Sequence, residues 1–290
     1  MVPTTYLTIV TVVRKRGIDC MPNMNDVNFD ALYCLFKGEP GTRKSTQALS
    51  FPGPQYWFSW DRKMNGIFLP MRKWGVDPKT VTYDDYDNWN APKKKLEEFQ
   101  VNCPYRTIVI DSVTSMADMT LRQTVQLKYG KTRSSGAQAG KLIAGIAVNE
   151  IEDYNAESSA LNELIALTKD INNFHKVNVI LIAHVVKAEY RDTTKNVTHI
   201  SRQIVTAGKN VAAKIPAYCG EIYHFNIKKG FVEGSGGDYT LLTSHVGDDF
   251  ARTALEIPNE IVFGDKPLYD TWIKPAILKS KEAYVSTTKF

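Results

Sequence analysis

The chain has little with which to cross-link itself and no segment long enough to span a bilayer as a helix. Its four cysteines (Cys20, Cys34, Cys103, Cys219) stand far apart, with no C-x-x-C pair among 290 residues. That spacing offers neither a disulfide framework nor a thiolate zinc site, and Cys34, inside an apolar run, reads as a buried thiol. No stretch approaches the roughly 18 consecutive apolar residues of a membrane-spanning helix, so no membrane association is expected. Residues 6–13 are apolar-leaning, but Arg14, Lys15 and Arg16 follow them, the reverse of the charge-first order of a secretory leader. Residues 1–30 are therefore expected to form an arm or strand, and the chain to work in the cytoplasm. Internal repeats and low-complexity tracts are missing too. Charge of one sign is scarce: 36 Lys and Arg against 31 Asp and Glu leave +5, which permits a nucleic-acid partner without requiring one.

What is present suits a folded α/β domain. Apolar residues make up 43% of the chain and charged residues 23%, ordinary values for a protein with a sizeable core. Short apolar runs rich in β-branched and aromatic residues recur at 31–36, 56–60, 107–110, 179–183, 222–227 and 239–243. Their length predicts buried strands. Helix-compatible segments lie between them at 44–50, 93–99, 115–128 and 142–172; in the last, Leu161, Leu164, Ile165 and Leu167 share roughly one face. Alternating strand and helix predicts a mostly parallel central sheet flanked by helices. Residues 130–141 and 187–210 read as polar, basic loops, and 233–238 (EGSGGD) as the turn of a terminal β-hairpin. The tail after Asp249 mixes short helical and irregular pieces.

The strongest signal is residues 31–50, ALYCLFKGEPGTRKSTQALS: a strand, a tight glycine-containing loop, then a helix start. Phosphate binding requires this order, because backbone N–H groups of the loop and the N-terminal end of the helix converge on the anion. Gly38, Glu39, Pro40, Gly41, Thr42, Arg43, Lys44, Ser45 and Thr46 are the predicted nucleotide cradle. Lys44 would reach the terminal phosphates and the Ser45 hydroxyl would ligate Mg²⁺. The pattern G-x-x-x-x-G-K-S/T has glycine before the lysine, whereas Arg43 stands there. Its side chain either turns outward or supplies another cation.

Three strand-end residues extend the site. Asp111 closes the strand of YRTIVIDSVTS (105–115), where the shell of a magnesium ion needs a carboxylate; capping the next helix is the alternative. His184 closes NVILIAHVV (178–186), placed to contact a γ-phosphate or the attacking water, or simply hydrogen-bonded. Asp61 follows YWFSW (56–60) and could orient that water or be a solvated strand end. Glu39 is a weaker rival for the same role.

GEPGTRKS, VIDSVTS and VILIAH, in that order, resemble the RecA-like P-loop ATPases, and more closely the phage-encoded single-domain members that include single-strand annealing and recombination ATPases. In that family the Asp-bearing strand is third in the chain, a slot order that residues 56–60 complete. KIPAYCGEIYHF (214–225) and LLTSHVGDDFARTAL (241–255) resemble its terminal strands, so the likeness spans roughly 30–260. It implies a RecA-like core over 31–248, an N-terminal arm over 1–30, a C-terminal tail over 249–290, and ATP and Mg²⁺ as cofactors. It also implies a homo-oligomeric ring or filament on single-stranded DNA, with a phage single-strand-binding protein as a further partner. By the same resemblance residues 130–141 and 187–210 would face DNA through Lys131, Arg133, Lys141, Lys187, Arg191, Lys195, Arg202 and Lys209, with Tyr190 stacking a base. Lys209, Lys214 or Arg252 would act across a subunit boundary on the transferring phosphate. A ring helicase, a helicase loader and a non-catalytic ATP-held switch are the alternatives.

Overall fold

The computed structural model describes residues 31–135, 142–143, 146–147, 153–192, 197–206, 214–228, 237–247 and 249–287. The expected arm at 1–30, most of the turn at 233–238, and Lys141, Lys195 and Lys209 lie outside the described residues.

Strands β1 (Tyr33–Gly38), β2 (Gln55–Ser59), β3 (Val81–Asp85), β4 (Thr107–Asp111), β7 (Asn178–Asp192), β8 (Val197–Ile204), β9 (Glu221–Lys228), β10 (Asp238–Leu242) and β11 (Glu260–Val262) form a nine-stranded sheet. Its order is β11-β10-β9-β1-β7-β4-β2-β3, with β8 paired to β7. From β9 to β3 every pairing is parallel, while β10 and β11 add an antiparallel edge. This is the expected mostly parallel α/β sheet. In the chain, β2 and β3 both stand between the strand before the loop and the Asp111 strand, so the latter is fourth and not third as expected, while in the sheet β7 separates them.

The central strands are apolar on both faces because both faces are covered. In β1 and β7, Tyr33, Leu35, Val179 and Leu181 join one core; Cys34, Phe36, Ile180 and Ile182 join the other. Helices α3 (Asn90–Val101), α4 (Val113–Ser135) and α5 (Asp153–His175) cover the first face, contributing Leu96, Met116, Leu161, Leu164 and Ile165; Leu167 packs against it partly buried. The second face is covered by α1 (Lys44–Ala48), α2 (Phe68–Trp74) and the C-terminal segment with α6 (Lys274–Thr287), through Leu49, Met71, Phe263, Leu268 and Ile273. The residues after Asp249 thus supply part of the core.

Three expectations are corrected. Residues 187–192 and 197–204 of the expected loop are strands: β7 runs on past the sheet and pairs antiparallel with β8, from Val185↔Ile204 to Asp192↔Val197. At about 3.3 Å per residue, this ribbon reaches about 25 Å beyond the strand ends. Residues 131–135 belong to α4, so the expected loop there begins helical. The predicted helix over 142–172 is shorter at its start, because Leu142–Ile143 (β5) pairs with Ile146–Ala147 (β6) and the helix opens at Asp153. Helix α2, the exposed edge strand β3 and β11 stand outside the expected elements.

Candidate functional site

The carboxyl ends of the parallel strands define one edge of the sheet, and the predicted site residues meet there. Gly38 ends β1 in register with His184 of β7, and Ser59 of β2 stands opposite Asp111 of β4. Between these ends lies a cleft of about 300 Å³ lined by residues 40–46, Asp61, Lys63, Gly66, Ile67, Asp111 and His184.

The loop is shaped by space and by backbone sign. A Cβ on Gly38 would meet the Phe225 carbonyl oxygen at 2.4 Å and Thr42 Oγ1 at 3.0 Å, so β9 and the loop close over this position only if it has no side chain. Gly41 has φ +82°, with nothing within 4 Å of a built Cβ, and there the constraint is conformational. The two glycines therefore separate in their expected responses. Gly38→Ala should destabilise by about 1–3 kcal/mol through overpacking against backbone, and Gly41→Ala by about 1 kcal/mol through strain alone. Chemical denaturation of both variants measures this; equal losses would show that the Phe225 contact gives way.

Lys44 is buried at the centre of the loop. Its Nζ donates to the carbonyl oxygens of Gly38 (2.9 Å) and Glu39 (2.8 Å) and to Thr42 Oγ1 (3.3 Å). Burial pushes its pKa down to about 8, against the pull of Asp111, Asp61 and Glu39. The Ser45 hydroxyl donates to Asp111 Oδ2 at 2.8 Å, joining the first turn of α1 to the end of β4. Burial pushes the Asp111 carboxyl up to about 6, the Ser45 bond opposing it and the Asp61 charge adding to it. Helix capping is the work of the next residue: Ser112 Oγ accepts from the Ser115 backbone N–H at 3.1 Å.

Asp61 is likewise no solvated strand end. Its Oδ2 lies 3.5 Å from His184 Nε2, and its side chain is 14% exposed. Burial alone would raise its carboxyl, but hydrogen bonds from His184 and Ser115, with the charges of His184 and Lys63, together hold it below its ordinary value. The His184 backbone N–H donates to Thr114 Oγ1 at 3.0 Å, and its buried Nδ1 has no hydrogen-bond partner. Thr114 and Ser115, on the first turn of α4, are neighbours that the sequence reading did not single out. Their legible signal was their place immediately after Asp111 and Ser112 in VIDSVTS.

Arg43 resolves outward. It adopts φ 64° and ψ 26°, and Nη1 donates to the Gly264 carbonyl (2.9 Å) and to Asp265 Oδ1 (2.6 Å). Its guanidinium also sits 3.8 Å from the centre of the Tyr239 ring.

Beside the loop lies a second polar group that sequence reasoning missed as a unit. Lys37 of β1 and the fully buried His224 of β9 are in register, and the Arg202 guanidinium on β8 bonds Asp249. Asp249 Oδ1 stands 3.6 Å from His224 Nδ1, and Arg202 Nε stands 3.8 Å from Glu39 Oε1. Burial, helped by Lys37, pushes His224 down to about 4; burial pushes Lys37 down to about 8, with Asp249 opposing. Glu39 therefore faces the base of the ribbon, while Asp61 faces His184.

Of the residues expected to act across a boundary, Lys214 is exposed. Arg252 is committed within its own chain, to the carbonyl oxygens of Pro216 and Cys219. The backbones of Tyr190 and Arg191 run in β7, and their side chains lie outside the described residues.

Comparison with known proteins gives one family match and a structural likeness. A family model described as an AAA domain matches residues 31–253. No curated protein sequence matches the chain. The crystal structure of the RadB recombinase is similar with a TM-score of 0.45 at 11% identity, over 81% of this chain and 89% of that one.

Proposed function

The chain belongs to the AAA-domain family of P-loop ATPases, and from that premise we propose that it is a magnesium-dependent ATPase that assembles with copies of itself on single-stranded DNA and serves phage recombination or replication. The observation that carries the ATPase reading is the meeting of Lys44 and Ser45 of α1 with Asp111 of β4, Asp61 beyond β2 and His184 of β7 in one cleft.

The residues present fit a magnesium nucleotide. A hydroxyl and a carboxylate 2.8 Å apart are the hard oxygen donors that Mg²⁺ prefers, and the ammonium of Lys44 at the junction of the tight loop and α1 suits a polyphosphate. Bound Mg²⁺ supplies positive charge against the phosphate oxygens. In this reading Lys44 would exchange its carbonyl partners for phosphate oxygens, and Ser45 and Asp111 would hold the ion. Asp61, ionised because its neighbours keep it so, accepts a hydrogen bond from the attacking water and orients it. His184, hydrogen-bonded through its backbone to α4 and continuous with the ribbon, reports the terminal phosphate to β7 and β8.

The DNA reading rests on the ribbon. It continues β7 beyond His184, and its described strands carry Lys187 and Arg191, basic residues suited to backbone phosphates. The likeness of GEPGTRKS, VIDSVTS and VILIAH to phage annealing ATPases supports the biological setting.

Turnover of ATP by the purified protein, with and without single-stranded DNA, tests both halves. DNA-stimulated hydrolysis that disappears on chelating the metal is the expected result. Hydrolysis indifferent to DNA would remove the DNA reading and keep the ATPase; tight binding without turnover would replace the ATPase with an ATP-held switch.

A further inference from the structure

Helix α1 spans only Lys44–Ala48 and has no side-chain N-cap, far short of a helix stable by itself. Its support is tertiary and comes from one short stretch of the C-terminal segment. Gln47, fully buried, donates to the Lys266 carbonyl at 3.0 Å and accepts from the Leu268 N–H at 2.7 Å. Ser50 Oγ accepts from the Tyr269 N–H at 3.0 Å. Residues 264–269 thus bracket α1, and Arg43 is the link from this bracket to the phosphate loop.

Arg43 occupies the left-handed region at the last loop position, where a side chain is strained and glycine is not. That turn comes immediately before the first residue of α1. The guanidinium is fastened on Gly264, Asp265 and Tyr239 at once. Asp265 is in turn held by Lys73 at 2.6 Å, and its carbonyl accepts from the Trp74 indole at 2.9 Å. A single exposed ion pair is weak, but here charge, carbonyl and ring hold one planar group on three sides.

We propose that Arg43 is a positioning residue: anchored to Asp265, it holds the phosphate loop in its left-handed turn in place of the glycine that pattern calls for, and so makes the C-terminal segment part of the nucleotide site. The consequence for nucleotide affinity rests on the function proposed above; the consequence for loop shape does not.

The test uses the full-length protein with Asp265→Ala, Lys73→Ala, Arg43→Gly and the Arg43→Gly/Asp265→Ala double variant. Two readouts are taken on each: hydrogen exchange of the peptide over 39–46, and affinity for ATP. Asp265→Ala should speed exchange and weaken ATP binding about tenfold, a change of about 1.4 kcal/mol. Lys73→Ala, which leaves the Arg43 anchor in place, should do neither. In the Arg43→Gly background, where the turn needs no anchor, adding Asp265→Ala should change both readouts by less than about twofold, because a coupled pair is not additive. Asp265→Ala with wild-type exchange would overturn the proposal, as would equal damage in both backgrounds, which would assign Asp265 to general stability. If the wild-type protein bound no ATP, the nucleotide reading would fall while the exchange data still decided the anchor.

Discussion

Lys44→Ala is expected to abolish ATP binding, with at least a hundredfold loss of affinity, while leaving the fold intact. The ammonium is the one cation at the centre of the loop, held by the carbonyls of Gly38 and Glu39, and a charge-assisted bond to phosphate in a buried site is worth about 2–5 kcal/mol. Removing it costs the fold less, because burial already disfavours the charged amine and keeps its pKa near 8. The pH dependence follows from that depression. Between about 8 and the ordinary lysine value the unfolded chain binds more protons than the folded one, so this group makes the protein more stable as pH rises. Affinity for ATP should move the other way, falling above about pH 8 as the ammonium is lost. Isothermal titration calorimetry at pH 7 and pH 9, with circular dichroism on the variant, checks both parts. An unchanged affinity in the folded variant would remove Lys44 from the site.

Asp111→Asn should give a more stable protein that no longer uses magnesium. The Asp111 carboxyl is raised from 3.8 to about 6, chiefly by burial, so above pH 6 its charge costs the folded state about 3 kcal/mol at 1.4 kcal/mol per tenfold in proton affinity. That value already includes the opposing bond from Ser45, and the remaining solvent contact of the carboxylate reduces the expected gain to about 2 kcal/mol, a rise of several degrees in Tm for a chain of this size. The sign can be tested internally. For a raised carboxyl the cost grows as pH rises through the interval from 3.8 to about 6 and is complete above it, so the advantage of the variant should be largest at pH 7.5 and smaller at pH 5. A lower Tm than wild type at pH 7.5 would mean that the Ser45 bond outweighs the burial of charge. The functional half is read by ATP affinity with and without Mg²⁺, where the variant should lose the difference. Such a carboxylate, costly to the fold and placed at the cleft, is what stored strain at a working site looks like.

Much of the site was legible because its chemistry is local in sequence. Strand, tight loop and helix start follow one another within residues 33–48, and Asp111, His184 and Asp61 each announce themselves as a polar residue closing or following an apolar run. The ribbon was illegible for the opposite reason. KAEYRDTTKNVTHISRQI (187–204) carries polar residues at both alternations, and hydrophobic periodicity detects only strands with a face to bury. β3 escaped likewise, since it lies at the sheet edge with most of its residues exposed.

The sequence by itself determined the α/β class, the position of the candidate phosphate loop and the set of strand-end polar groups, because each depends on residues adjacent along the chain. Tertiary structure alone decided which of them meet. β7 slips between β1 and β4, bringing His184 to Asp61, and the turn at Gly264 and Asp265 returns some 220 residues later to hold Arg43. No local pattern encodes such contacts: the strand order is chosen by how both faces of the sheet are buried, and the partner of an arginine by where that burial leaves a carboxylate within reach.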